Sequence, residues 1–199
     1  DSNDISYTVN GGNENLAGIM QYGDGNGAII TISHAEGATS EKAARNEAGV
    51  VQQGDGNDLS LKIVGSRNVD SAEMNGDRNA LGLSQTGNGN LFDIAMHGSD
   101  NNNSASVSVG GFRGRLAATA SGAGLAPGTA LQNGDGNSVK VSLSGDSNLF
   151  AFRQEGIDNA AAMMVNGSAN QAVVSQSNNA NRAAIGQSGS GNSVSIVQF

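Results

Sequence analysis

The chain has 199 residues, a formal net charge of −8, 37% hydrophobic residues, 30 glycines, one proline, 4% aromatics and neither tryptophan nor cysteine. So little bulk excludes a thick globular core and leaves either a thin layered fold or a disordered chain. No run approaches the ~20 apolar residues of a membrane helix, and ten basic residues that gather in no stripe exclude a nucleic-acid binder.

A beat of eleven residues decides between layers and disorder. In chain order, strand units start at Asn3, Asn15, Asn26, Asn46, Asn57, Asn68, Asn79, Asn90, Asn101, Gly114, Ala126, Asn137, Asn148, Asn159, Asn170, Asn181 and Asn192, which is about 17 units. After most of these asparagines come apolar residues two and four positions on, Gln or an apolar residue six on, and glycine eight on. Alternation at period two places Asn and those three residues on one face of a strand, and glycine supplies the turn. One such strand cannot bury its face alone, so successive units must fold back and stack. The expected fold is all-β: a β-solenoid of about 8 two-strand rungs, 22 residues per rung and 11 per unit, stacking into cross-β fibres.

Residues 1–199 read as a single repeat domain with interruptions confined to turns. The largest falls near 34–45, a second near 110–113, and the units over 112–131 are degenerate. Both larger insertions are expected to follow odd-numbered strands and so to project from one edge. Pro127 is placed at the start of a degenerate strand, where a missing N–H costs least.

Stacking turns columns of sequence into ladders. The expected interior ladders are Gln21, Gln52, Gln85, Gln132, Gln154, Gln176, Gln187 and Gln198, together with Asn15, Asn26, Asn46, Asn57, Asn68, Asn79, Asn90, Asn101, Asn137, Asn148, Asn159, Asn170, Asn181 and Asn192. Repeated amides at strand spacing hydrogen-bond to the copies above and below. The expected turn glycines are Gly23, Gly54, Gly65, Gly76, Gly87, Gly98, Gly134, Gly145, Gly156, Gly167 and Gly189. Asp24, Asp55 and Asp77 fall in one turn column and are candidate charge brakes on stacking.

The hexapeptide Gln-x-Gly-x-x-Asn followed by alternating small and apolar residues resembles the curlin repeat of bacterial curli fibres. Gln21 to Ala28, Gln52 to Asn57, Gln154 to Ala161 and Gln187 to Val194 carry it, and about 15 asparagine-led units extend the likeness over nearly the whole chain. The resemblance implies a secreted structural subunit of a functional amyloid in the biofilm matrix, on the bacterial cell surface. Its partners would be further copies of itself, a nucleator subunit and an outer-membrane export channel, with no cofactor and no membrane insertion. Ile63, Met74, Met96, Leu143 and Val165 stand where the repeat has Gln, which marks a divergent, extended member. The alternative is a monomeric surface adhesin, or a nucleator or anchor of the fibre.

Other chemistry fits less well. His34 and His97 lie in different turns with no partner at metal or catalytic spacing. Calcium-binding β-rolls share Gly-Asp turns but run on nine residues rather than eleven, so calcium at Asp24, Asp55 and Asp77 stays the rival to the brake. No nucleophile elbow, phosphate loop or paired carboxylates can be placed, so no enzyme is expected. Few threonines and mixed charges on the outward columns disfavour ice binding. The opening Asp1-Ser2-Asn3 carries no basic, apolar leader, so a signal peptide is expected to be absent or already removed. Strand pattern reaches Val9 at one end and Asn192 to Phe199 at the other, which predicts open edges at both.

Overall fold

A computed structural model describes residues 2–33, 45–102 and 111–199. Its strands are β1 (Asp4–Asn10), β2 (Leu16–Tyr22), β3 (Gly27–Ser33), β4 (Glu47–Gln53), β5 (Asp58–Val64), β6 (Val69–Asn75), β7 (Ala80–Thr86), β8 (Leu91–His97), β9 (Thr129–Asn133), β10 (Ser138–Ser144), β11 (Leu149–Glu155), β12 (Ala160–Asn166), β13 (Gln171–Ser177), β14 (Arg182–Ser188) and β15 (Ser193–Gln198), with one helix, α1 (Arg115–Gly122), before β9. Odd strands form an eight-stranded sheet in chain order, and even strands a seven-stranded one. Every pairing is parallel. Parallel neighbours need a crossover, and here the crossover is the strand of the opposite sheet. The molecule is therefore a β-solenoid.

The core is the thin space between the sheets. Alternation fills it: β5 buries Leu59, Leu61 and Ile63 while Asp58, Ser60 and Lys62 face outward. Phe92, Phe150 and Phe152 are the bulkiest buried side chains, and medium apolar residues supply the rest. Low aromatic content is no handicap in a layer one side chain deep from each sheet.

All eleven expected turn glycines have positive φ, from 92° to 131°. Two constraints meet at them. The backbone conformation is one that L side chains rarely adopt, and the turns of adjacent rungs touch: a Cβ on Gly76 would lie 2.1 Å from the carbonyl oxygen of Gly98. Asn178 (φ 70°) fills the corresponding place in one turn.

Among the described residues the expected 17 units are fifteen strands. Asn101 and Asn102 begin the ninth unit, with Asn102 N–H donating to the Asn148 carbonyl, and the chain rejoins that strand position at Gly128, whose N–H donates to the Phe150 carbonyl. The described residues between them, 111–127, lie outside the strand and include α1. The unit expected at Gly114 is α1, and the unit expected at Ala126 is the second half of the Asn101 unit, ending in β9. The span from Asn101 to Asn137 is three periods of eleven plus three residues, so small insertions let the excursion imitate two further units. Pro127 sits in the turn just before β9. The insertion near 34–45 follows odd strand β3; of it only Arg45 belongs to the described residues, and His34 and Gly110 also lie outside them.

The helix covers the outer face of the odd sheet. Leu116, Ala120, Ala123 and Leu125 pack on Ala151 of β11 and Val173 of β13, with Phe112 and Leu131 at the margin. Both strands are thus buried on two faces there. Arg153 holds the helix end by donating to the Ala123 carbonyl (2.8 Å), and Arg113 N–H donates to Gln171 Oε1 (3.0 Å).

Replacing Gly76 by Ala should lower stability by about 1–3 kcal/mol, because it adds a strained φ to a backbone collision. Gly18→Ala is the control: nothing lies within 4 Å of its Cβ position and its φ is not positive. Urea unfolding followed by circular dichroism compares them, and equal midpoints would show that the turn contact is unimportant.

Candidate stacking interface

Two asparagine ladders run the length of the solenoid. One joins Asn3, Asn26, Asn57, Asn79, Asn101, Asn148, Asn170 and Asn192, and the other Asn15, Asn46, Asn68, Asn90, Asn137, Asn159 and Asn181. At each step the backbone N–H of one asparagine donates to the Oδ1 of the rung before, at 2.9–3.1 Å. Asn57 Nδ2 also reaches the Gly76 carbonyl (2.8 Å), and Asn170 Nδ2 that of Gly189 (2.9 Å), both in the following turn. Asn57 Nδ2 donates back to Asn26 Oδ1 as well (3.0 Å), so its amide ties a rung to both neighbours, whereas Asn101 Nδ2 is buried without a partner. The ladders are directional.

The glutamines form shorter runs. In the odd sheet Gln85, Gln132, Gln154, Gln176 and Gln198 make an unbroken series, each Nε2 donating to the next Oε1 at 2.8–3.0 Å. In the even sheet Gln21 donates to Gln52 (2.7 Å), the column continues through Met74, Met96, Leu143 and Val165, and Gln187 follows alone. Where a run begins, its Oε1 has no donor: Gln85 follows Ile63, and Gln187 follows Val165. Gln21 Oε1 is likewise buried without a partner, and Gln21 lies on the last strand of its sheet.

Asp24, Asp55 and Asp77 occupy successive turns of one edge. There they accept main-chain hydrogen bonds: Asp55 Oδ1 accepts the Asp24 N–H (2.8 Å), and Asp77 Oδ1 accepts the Asp55 N–H (2.9 Å). Ser99 Oγ takes the same place for the Asp77 N–H at 3.0 Å. A cation stands close by, since Arg78 makes a two-pronged pair with Asp100. That pairing raises the Arg78 pKa, mainly through the Asp100 hydrogen bond and charge, and Asp77 adds to it. Among the described residues no group of three His, Asp or Glu side chains could hold a metal ion.

One buried residue was not singled out from the sequence. Asp70, two positions after Asn68, points into the core, 3% exposed, with both carboxylate oxygens unpartnered. Its column holds Ala17, Ala48, Phe92, Val139, Ala161 and Ala183, with no charge to meet it. Burial raises its pKa well above the usual carboxylate range; the Phe92 backbone N–H pulls the other way and is the lesser effect, with no well-formed hydrogen bond. The two-residue offset from Asn68 was the signal that could have found it.

The sheets end in β1 and β2 at one end and β14 and β15 at the other, each with one strand edge unpaired. Ile5, Tyr7 and Val9 of β1 occupy inward columns yet are exposed, as are Leu16, Met20, Tyr22, Val197 and Phe199 nearby. Among the described residues no helix is long and apolar enough to cross a membrane.

A family described as the curlin associated repeat matches residues 167–199, the segment from the turn at Gly167 through β13, β14 and β15. No curated protein and no solved structure matches the chain.

Two substitutions test the interior. Gln154→Ala removes the Oε1 that accepts from Gln132 and the Nε2 that donates to Gln176, and should destabilise by about 1–3 kcal/mol. Ser175→Ala, on the outward face, should change little, and equal denaturant midpoints would place the ladder elsewhere. For Asp70, the folded state holds its proton to higher pH than the unfolded chain does. Its contribution to stability is therefore present below the unfolded pKa and lost as pH rises through the raised folded value. Asp70→Ala should remove that decline and stabilise the fold at pH 7 by about 1–3 kcal/mol. A parent and variant with the same pH dependence of unfolding would disprove it.

Proposed function

Because the described rungs repeat the geometry of the segment that carries the curlin associated repeat, we propose that this curlin-like repeat protein is a structural subunit of a curli-like functional amyloid fibre. The fibre grows by stacking the end of one solenoid on the end of another. The observation that carries this is the pair of open ends: each presents unpaired strand edges and exposed apolar residues over columns whose amides already join rung to rung. Main-chain bonding across such an edge is strand addition. In this reading the chain is exported to the cell surface and forms biofilm matrix, meeting a nucleator subunit and an outer-membrane channel on the way. Its work is mechanical rather than catalytic, and nucleic acid is not among its partners.

A second reading draws on α1 and the insertion after β3. Both depart from the bare repeat, and α1 displays a feature on the outer face of one sheet. Such a decoration suits an adhesin, or an anchor that presents a face to another surface.

Freed from denaturant, the purified chain should assemble into unbranched fibres with a meridional reflection near the ~4.7–4.8 Å strand repeat. Electron microscopy and fibre diffraction check this. Monodisperse monomer that persists at high concentration would favour the adhesin.

A further inference from the structure

The rule that relates one unit to the next also fixes how a second copy can join. Each unit passes the chain to the opposite sheet, so it follows its predecessor by about half a turn and half a rung. The described strands number fifteen, an odd number of such steps that begins and ends in the odd sheet. The next vacant place after β15 is therefore in the even sheet, on the open edge of β14, and the place after that is on β15.

We propose that two copies of this 199-residue chain join with a half turn about the fibre axis, β1 of the second copy pairing with β14 of the first and β2 with β15. This rests on the fibre reading above. A joint without rotation would set β1 on β15 in the odd sheet. It would leave β14 and β2 of the even sheet separated by the width of a missing strand, with two rows of main-chain groups unpaired at the joint. Unpaired buried backbone groups are what native structures avoid.

The side chains agree with the half turn. The asparagine columns set the register: Asn181 of the first copy stacks on Asn3 of the second, and Asn192 on Asn15. Arg182 then stands opposite Asp4, and Ile196 opposite Ile19. Met20 meets Val197, and Tyr22 meets Phe199, so large exposed apolar residues cover one another. The glutamine ladder is the sharpest match. It runs toward Gln198 with every Nε2 donating forward, and the buried Gln21 Oε1 lacks a donor. With the half turn Gln198 falls on Gln21, and its second Nε2 proton meets that oxygen. Gln198 continues to donate to the Arg182 carbonyl, as the other glutamines donate to carbonyls of the opposite strand. Without the rotation Gln198 would face Val9. Gln187 faces Val9 in the rotated joint, a pairing the chain already contains where Gln52 faces Met74.

The helix fits the same arrangement. Thr119 of α1 contacts Ser195 of β15 (3.2 Å), so the helix overlies the last rung. In the rotated joint the residue that continues the Ser195 column is Gly18, whose missing side chain leaves room beneath a helix. Successive copies then present α1 on opposite sides of the fibre, about 36 Å apart along its axis at ~4.8 Å per rung.

Engineered cysteines separate the two joints, since the described chain has no cysteine of its own. In-register neighbours on parallel strands lie within disulfide reach. Fibres of Met20→Cys/Val197→Cys should oxidise to covalent multimers, resolved on a non-reducing gel, whereas Thr8→Cys/Val197→Cys fibres should not. Cross-linking of the Thr8 pair, or of neither pair in fibres that form, overturns the half turn and leaves the fibre reading standing. Helical reconstruction of fibres of the unaltered chain gives a reading free of substitutions: a rotation near 180° with an advance of about 36 Å per copy is expected, and a rotation near zero overturns the proposal. A parent chain that makes no fibre removes both readings at once.

Discussion

One side chain holds the architecture together: the inward asparagine at the start of each strand. Its Oδ1 takes the backbone N–H of the following rung, and its Nδ2 reaches the carbonyl of the following turn. The Oδ1 bond at every step is made to the main chain, so it does not depend on which apolar residues lie around it. An apolar residue here would leave a buried N–H and a buried carbonyl without partners on every rung, each worth about 1–3 kcal/mol. This explains why Asn persists along both sheets, while the glutamine column accepts Ile63, Met74, Met96, Leu143 and Val165. A glutamine bonds chiefly to its own neighbours in the column and to a carbonyl across the layer. Replacing several consecutive glutamines removes donors and acceptors together, which is close to neutral.

The turns make the second demand. Rungs at strand spacing bring the backbones of successive turns into contact, and glycine is required there for conformation and for space together. Asparagine and glycine therefore recur at a fixed separation, and the period of eleven is the length of a strand plus the shortest turn that satisfies both. The apolar residues between them are interchangeable by comparison. Ala, Phe and Val all occur in the core column that contains Asp70, and Ala, Val, Ile and Met in the inward column two residues further along the strands.

That contrast also sets what was legible in the sequence. The solenoid, its two faces, the turn glycines and the placement of Asn and Gln in columns follow from residues that interact with the backbone at fixed offsets. The excursion after Asn102 was not legible, because its length kept the later units nearly in phase and its packing is tertiary: α1 exists where Ala151 and Val173 offer it an apolar outer face. A count by phase turned one interrupted strand into three units. Asp70 escaped for a different reason. A single Asp in an alternating strand looks like a solvated residue until its offset from Asn68 places it inside, and a period shows where a column runs without showing which member breaks its chemistry.

The same logic separates what joins rungs within a chain from what can join chains. Within a chain the strand order is enforced by covalent connection, so an interior column tolerates an orphaned Gln85 or Gln187 oxygen and even a buried carboxylate at Asp70. At a joint between chains nothing is enforced, and the contacts must select their own register. Asparagine columns alone cannot do so, since they are identical in both sheets and would accept either strand of a second copy. Discrimination falls to the features that differ between sheets: where a glutamine run stops, where a charge stands, and which outward residues are large. Gln198, Arg182 and Phe199 at one end and Gln21, Asp4 and Tyr22 at the other are such features, and they lie on the terminal strands of the solenoid or, for Phe199, directly after one. Regular columns give the solenoid its length, and the irregular residues at its ends give it a way to recognise another copy of itself.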